Sequence, residues 1–162
     1  MAIDVTQLSV LIANILFGMD MYSPSAQRLL LGTAAVESDL GTYIRQKNGP
    51  ALGIFQIEPD TEAWLWGRID KRNPELAWKI FRVSGVYGVS QAALESNLAY
   101  QVALARVNYY LKPEKLPEHD DVRGLAGYWK KYWNTEAGRG TVEKFIQKYE
   151  KYQIENFSVN YR

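Results

Sequence analysis

The run Leu29-Leu30-Leu31-Gly32-Thr33-Ala34-Ala35-Val36-Glu37-Ser38-Asp39-Leu40-Gly41 is an apolar helical stretch that delivers one carboxylate, Glu37, to its last turn and then stops. A carboxylate there faces the negative end of the helix dipole, and apolar neighbours strip its hydration. Both effects favour the protonated acid. Glycosidic cleavage needs such a group, because the leaving oxygen must take a proton as the anomeric carbon becomes oxocarbenium-like. Position alone leaves a second reading open, a solvated surface Glu near a helix end, which is the commoner use of an ionised carboxylate.

Composition narrows the choice of proton carrier. The chain has no cysteine and one histidine. Thiolate zinc sites, disulfides and imidazole-rich metal sites are therefore excluded, and Cys/His or Ser/His nucleophilic chemistry has almost nothing to work with. Carboxylates remain, and a carboxylate in a perturbed environment works without a cofactor. His119, beside Glu118, Asp120 and Asp121, reads as a surface loop ending in a helix N-cap in preference to a metal cluster. The 19 basic residues against 18 acidic ones leave a net charge of +1, so the positive field that draws proteins to nucleic acid is missing.

A second segment follows Glu37-Ser38 after a Gly-containing loop: Ala51-Leu52-Gly53-Ile54-Phe55-Gln56-Ile57-Glu58-Pro59-Asp60-Thr61. The pair resembles the signature of bacterial lytic transglycosylases and goose-type lysozymes: a Glu-Ser at a helix end, Gly-Leu-Met-Gln-like residues, then Pro-x-Thr. Ile54-Phe55 replace the usual Leu-Met. Asn97 and Tyr100, with Tyr109-Tyr110-Leu111, resemble that family's Asn-rich helix behind the cleft. Leu125-Ala126-Gly127-Tyr128-Trp129, with Asn134 and Gly138-Arg139-Gly140, resembles a modified Ala-Tyr-Asn-x-Gly stretch in which Trp129 stands where Asn is usual.

The resemblance implies an all-α, lysozyme-like fold acting on the glycan strands of bacterial peptidoglycan, without metal or cofactor. It makes Glu37 the catalytic acid, has Ser38 orient it or hold a sugar substituent, has Gln56 hydrogen-bond the sugar near the cleavage point, and has Tyr128 hold Glu37 from across the cleft. Phe55, Asn97 and Trp129 are its further substrate-contact positions. Each has an ordinary structural alternative: Ser38 as a polar helix end, Gln56 as a loop-bonding amide, Tyr128 as core.

Two products stay open. An inverting muramidase needs a second carboxylate about 6.5–9.5 Å from the first to activate water. A lytic transglycosylase needs none, because the muramic acid 6-hydroxyl attacks and leaves a 1,6-anhydro ring. Glu58 occupies the position where goose-type lysozymes carry an acid, yet it also precedes Pro59 and suits the start of a helix. Asp39 and Asp60 are the other nearby acids. The rival of a different class is a non-catalytic structural or peptidoglycan-binding module of a phage particle.

The positioning elements read as helices, and no stretch alternates with period two for long. Expected are helices over about Thr6–Phe17 and from Ser23-Pro24 to Asp39, then a Thr42–Glu58 loop with short extended pieces. A short helix from Pro59 carries Trp64 and Trp66. Another, after Asn73-Pro74, turns Leu76, Ala77, Ile80 and Phe81 to the core. One long central helix runs from Ser90 to Leu111, a surface connection covers Lys112 to Asp120, and helices at Asp121–Trp133 and Thr141–Tyr152 end a single domain over residues 1–162.

Trp64, Trp66, Trp129 and Trp133 are the tryptophans expected nearest the cleft. Lys130-Lys131 and the Lys144, Lys148, Lys151 face read as solvated charge. The Leu8–Phe17 stretch lacks the features of a signal peptide or a membrane span. A protein made in the bacterial cytoplasm and acting on the wall then needs a holin or a virion for delivery, which suggests a phage origin.

Overall fold

The structure is a computed structural model describing residues 1–157; residues 158–162, the end of the expected domain, lie outside the described residues. Helix starts follow local capping chemistry. Helix α1 (Val5–Gly18) begins where the Asp4 carboxylate accepts the Gln7 N–H, and α2 (Pro24–Ser38) where Ser23 Oγ accepts from Ala26, with proline in the first turn. Helices α3 (Pro59–Arg72) and α4 (Pro74–Ser84) also open on proline. Helices α5 (Gln91–Ser96), α6 (Leu98–Tyr110), α7 (Val122–Trp129) and α8 (Val142–Lys151) complete the set. Helix α7 runs directly into a π-helical turn, Lys130–Asn134, and a 3₁₀ turn, Ile154–Asn156, follows α8. The chain is all-helical. The extended pieces expected in the 42–58 loop are two isolated antiparallel bridges, Arg45 with Leu52 and Leu52 with Ile57.

Two helices form the centre. From Tyr100 to Tyr109 helix α6 is buried almost all round, the pattern of a core helix, and α2 buries most of its length against α8, α1 and α7. Gly32 permits the α2–α8 contact: a Cβ there would lie 2.3 Å from Phe145 Cζ. The Phe145 ring is fully buried, and burial of a side chain of that size stabilises by roughly 1.5–3 kcal/mol. Between α1 and α2 the buried Gln27 amide donates to Ser9 Oγ at 2.9 Å.

Three expectations need correction. The single Ser90–Leu111 helix is broken at Asn97 (φ −106°, ψ 100°), whose Oδ1 accepts the Tyr100 N–H and whose Nδ2 donates to Ser84 O. Its amide out-competes the helical backbone bonds at that point. Phe81 is 42% exposed instead of facing the core, because Leu76, Ala77 and Ile80 already fill the inward stripe of α4. The α3 helix is not short; it spans 14 residues.

Candidate active site

Glu37 sits in the last turn of α2, and its Oε1 accepts a 3.0 Å hydrogen bond from Trp129 Nε1 on α7. The indole is fixed. It is 1% exposed, packs on Phe145 at 5.6 Å between ring centroids, and meets Gly140 so closely that a Cβ there would lie 2.4 Å from Trp129 Cη2. Burial pushes the Glu37 carboxyl up from the usual 4.5 to about 7, with the Trp129 bond pulling partly the other way. A carboxyl half protonated near neutral pH is matched to general acid work. One turn earlier, Thr33 Oγ1 and Tyr109 Oη share a 2.8 Å bond that ties α2 to α6 behind the acid.

Glu37 opens into a groove of about 850 Å³. One wall is the 43–58 loop. Ser38 Oγ donates to Ile54 O (2.6 Å) and accepts from Gly41 N (2.8 Å), while Gln101 Oε1 accepts the Ile54 N–H (2.9 Å), so both central helices hold the loop. Gly53, at φ 76°, has no room for a Cβ, which would stand 2.5 Å from Leu94 O. Gln56, also left-handed at φ 51°, donates to Gly53 O and lines the groove.

The opposite wall is the π-helical turn and the 134–140 loop. Lys130 Nζ holds it by donating to Asn134 Oδ1 (2.7 Å), Thr135 O (2.8 Å) and Gly138 O (3.0 Å). Trp133 lines this wall with its ring against Tyr109, centroids 4.9 Å apart. Asn108 of α6 lines the groove between the walls.

Of the residues expected to act, Glu37, Gln56 and Glu58 share this groove. Glu58 is exposed and occupies the N-cap position of α3 without making a side-chain cap bond. The others lie elsewhere. Ser38 is fully buried and braces the loop. Phe55 is fully buried with its ring edge-on to Trp133, so it offers no face to a sugar. Asn97 is spent on the α5–α6 break. Tyr128 does not bond Glu37; its hydroxyl donates to Glu114 O at 2.8 Å. The donor is its neighbour Trp129, which is too buried to stack on a ligand. Among the four tryptophans, Trp133 lines the groove, Trp66 is buried and donates to Tyr100 Oη, and Trp64 is exposed on α3 under Arg68 and Lys112.

Asp39 is unavailable as a base. Burial raises its pKa, but hydrogen bonds from Lys148, Tyr152 and Lys151 outweigh that and hold the carboxyl well below the ordinary range. Asp60 does not line the groove. Lys130, Lys148 and Lys151, expected to be solvated, each make structural bonds. Sequence reasoning also missed Asn108 and Arg139 as groove residues; Asn108 carried only a weak signal, because α6 also holds the polar Gln101 and Arg106, both spent on structural bonds. No family model, curated protein or solved structure matches this chain.

Proposed function

We propose that the chain is a lysozyme-like enzyme of the lytic transglycosylase and goose-type lysozyme kind, cutting peptidoglycan glycan strands at the β-1,4 bond between N-acetylmuramic acid and N-acetylglucosamine. The observation that carries this reading is a buried carboxyl, Glu37, fixed by an indole N–H and opening into a groove of about 850 Å³, with burial raising its pKa to about 7. Protonated Glu37 gives its proton to the glycosidic oxygen as the C–O bond breaks and the sugar becomes oxocarbenium-like. Gln56 and Asn108 supply amide hydrogen bonds, and Trp133 an aromatic face, to the sugars on either side.

The anionic Glu37 left behind then takes the proton of the muramic acid 6-hydroxyl, whose oxygen closes the 1,6-anhydro ring. A specific observation supports the alternative, because Glu58 lines the same groove and its side chain is not used as a cap. In a muramidase Glu58 takes the proton of a water that attacks the anomeric carbon. We also propose delivery to the wall by a phage particle or a holin, and the surviving rival is a non-catalytic phage structural or wall-binding protein.

The test is mass spectrometry of soluble muropeptides released from purified sacculi by the parent protein and by Glu37→Gln. Anhydromuramic ends released only by the parent support the transglycosylase. Reducing ends support the muramidase, in which case Glu58→Gln abolishes release. No release by either protein from several wall types overturns the enzyme reading.

A further inference from the structure

Away from the groove, α4 and the turn after it expose three aromatic side chains: Trp78 at 62%, Phe81 at 42% and Tyr87 at 55%. The core does not account for them, since the inward stripe of α4 is complete without them. They are nevertheless mutually braced. Trp78 meets Phe81 at 5.9 Å and 86°, Trp78 meets Tyr87 at 5.7 Å and 62°, and Phe81 meets Tyr87 at 6.4 Å and 68° between ring centroids and planes. Tyr87 in turn leans on the buried Trp66, centroids 5.9 Å apart. Trp66 donates to Tyr100 Oη, Tyr100 donates to the buried Glu62, and Glu62 accepts the Ser90 N–H, which fixes the segment carrying Tyr87. Rings ordered in this way meet a ligand without the usual cost of immobilising them.

Trp78 and Phe81 line a concavity of about 540 Å³ whose other residues are Asp20, Glu75, Lys79 and Arg82. It shares no residue with the catalytic groove. Its two acids and two bases cancel, Arg82 pairs with Asp20, and Lys79 donates to Met19 O, so the rim has no net field to draw an anionic membrane or a nucleic acid. A protein partner fits poorly in extent. Full burial of an aromatic side chain covers roughly 150–250 Å², so three partly exposed ones offer on the order of 300 Å², against about 800 Å² per side of a standard interface. An uncharged ligand with flat apolar faces and hydrogen-bonding edges complements both the rings and the balanced polar rim.

We propose that this aromatic concavity is a second carbohydrate site, holding a neutral stretch of N-acetylated pyranose chain outside the cleavage groove. That its natural ligand is the wall glycan rests on the function proposed above. Two sites on one polymer raise the effective concentration of the strand at the groove, so the second site serves insoluble wall in preference to short soluble fragments.

The probe is a chitin hexasaccharide titrated into the ¹⁵N-labelled protein, with the Trp78 indole N–H assigned through Trp78→Phe. Saturable displacement of that resonance in the unaltered protein is expected, and its absence at millimolar sugar overturns the proposal. In the Glu37→Gln background, Trp78→Ala should cut retention on sacculi about tenfold, the loss of one stacked ring, with the ¹⁵N spectrum away from the concavity unchanged. With Glu37 present, Trp78→Ala should slow release from sacculi while leaving turnover of short soluble glycans intact. Equal retention of the two proteins overturns the proposal, as does a Trp78-dependent binding to anionic vesicles or a Trp78-dependent dimer without sugar binding. If the parent cuts no wall but the hexasaccharide still moves Trp78, the enzyme reading fails and the carbohydrate site stands.

Discussion

Glu37→Gln should make the protein more stable, and only above a definable pH. The fold raises the Glu37 carboxyl from an ordinary 4.5 to about 7, chiefly by burial. Below pH 4.5 the folded and unfolded chains both carry the protonated acid, and the site costs nothing. Between pH 4.5 and 7 the unfolded chain gives up its proton while the folded chain keeps it, so stability falls as pH rises. Above pH 7 the penalty is complete, about 3.4 kcal/mol at 1.36 kcal/mol for each pH unit separating the two states. Glutamine is neutral throughout and its carbonyl still accepts the Trp129 N–H. The variant should therefore match the parent near pH 4 and exceed it by roughly 7–14 °C in melting temperature at pH 8, given about 2–4 °C per kcal/mol for a domain of this size. Paired thermal melts and denaturant titrations from pH 4 to 8.5 provide the measurement, since every other group titrates alike in the two proteins. A difference that is flat across pH, or a variant less stable than the parent at pH 8, refutes the claim that burial of this carboxyl sets its protonation.

Three further outcomes follow from the same contacts. Trp129→Phe removes the hydrogen bond that lowers the Glu37 pKa, so for the proposed glycan cleavage the alkaline limb of kcat/KM should move to higher pH while the rate falls on the order of 10²-fold as the carboxyl loses its anchor; a pH–rate profile that moves downward contradicts this. Asp39→Asn keeps a residue able to hold φ 52° but removes the charge facing Lys148 and Lys151. The depressed Asp39 pKa contributes stability that is full above the ordinary value of 3.8 and is lost as pH falls toward the depressed folded value, so the variant should be weaker by about 1 kcal/mol at pH 7 and the gap should narrow progressively from pH 4 to pH 2, as read by thermal melts. Gly32→Ala drives a methyl into Phe145 and should lower stability by about 1–3 kcal/mol in denaturant titration.

What the sequence made legible was local. Ser23-Pro24, Asn73-Pro74 and Pro59 mark helix starts through chemistry confined to one turn, and the apolar period of α2 and α6 marks the core. The position of Glu37 in the last turn of α2 was legible for the same reason. The partner that fixes it was not, because Trp129 lies 92 residues away and the bond exists only once α7 packs on α2. Tyr128 and Trp129 are one position apart, which on a helix is about 100° of rotation, so Trp129 and not Tyr128 meets Glu37. Asn97 hid inside a continuous apolar period although its amide is a strong cap. The bonds of Lys130 and Lys148 are not legible in the sequence, because their acceptors, Asn134, Gly138 and Asp39, are brought to them by loops and caps that no periodicity describes, whereas Lys151 is the solvent-exposed lysine the sequence indicates and also reaches Asp39.

The π-helical turn at the end of α7 separates what the fold wants from what the groove wants. A π turn accommodates one residue more than an α turn and is the rarer, less favoured winding, so its persistence here sets a local stability loss against the placement of Trp133 and Asn134 on the groove wall. Deleting one residue between Lys131 and Asn134 would let α7 continue with an ordinary ladder and would swing everything beyond the deletion by about 100° around the helix axis. Such a shortened chain would be a sturdier protein whose groove had lost one of its two walls. Selection for thermal resistance alone would therefore be expected to erode this turn first, and selection for activity to restore the extra residue.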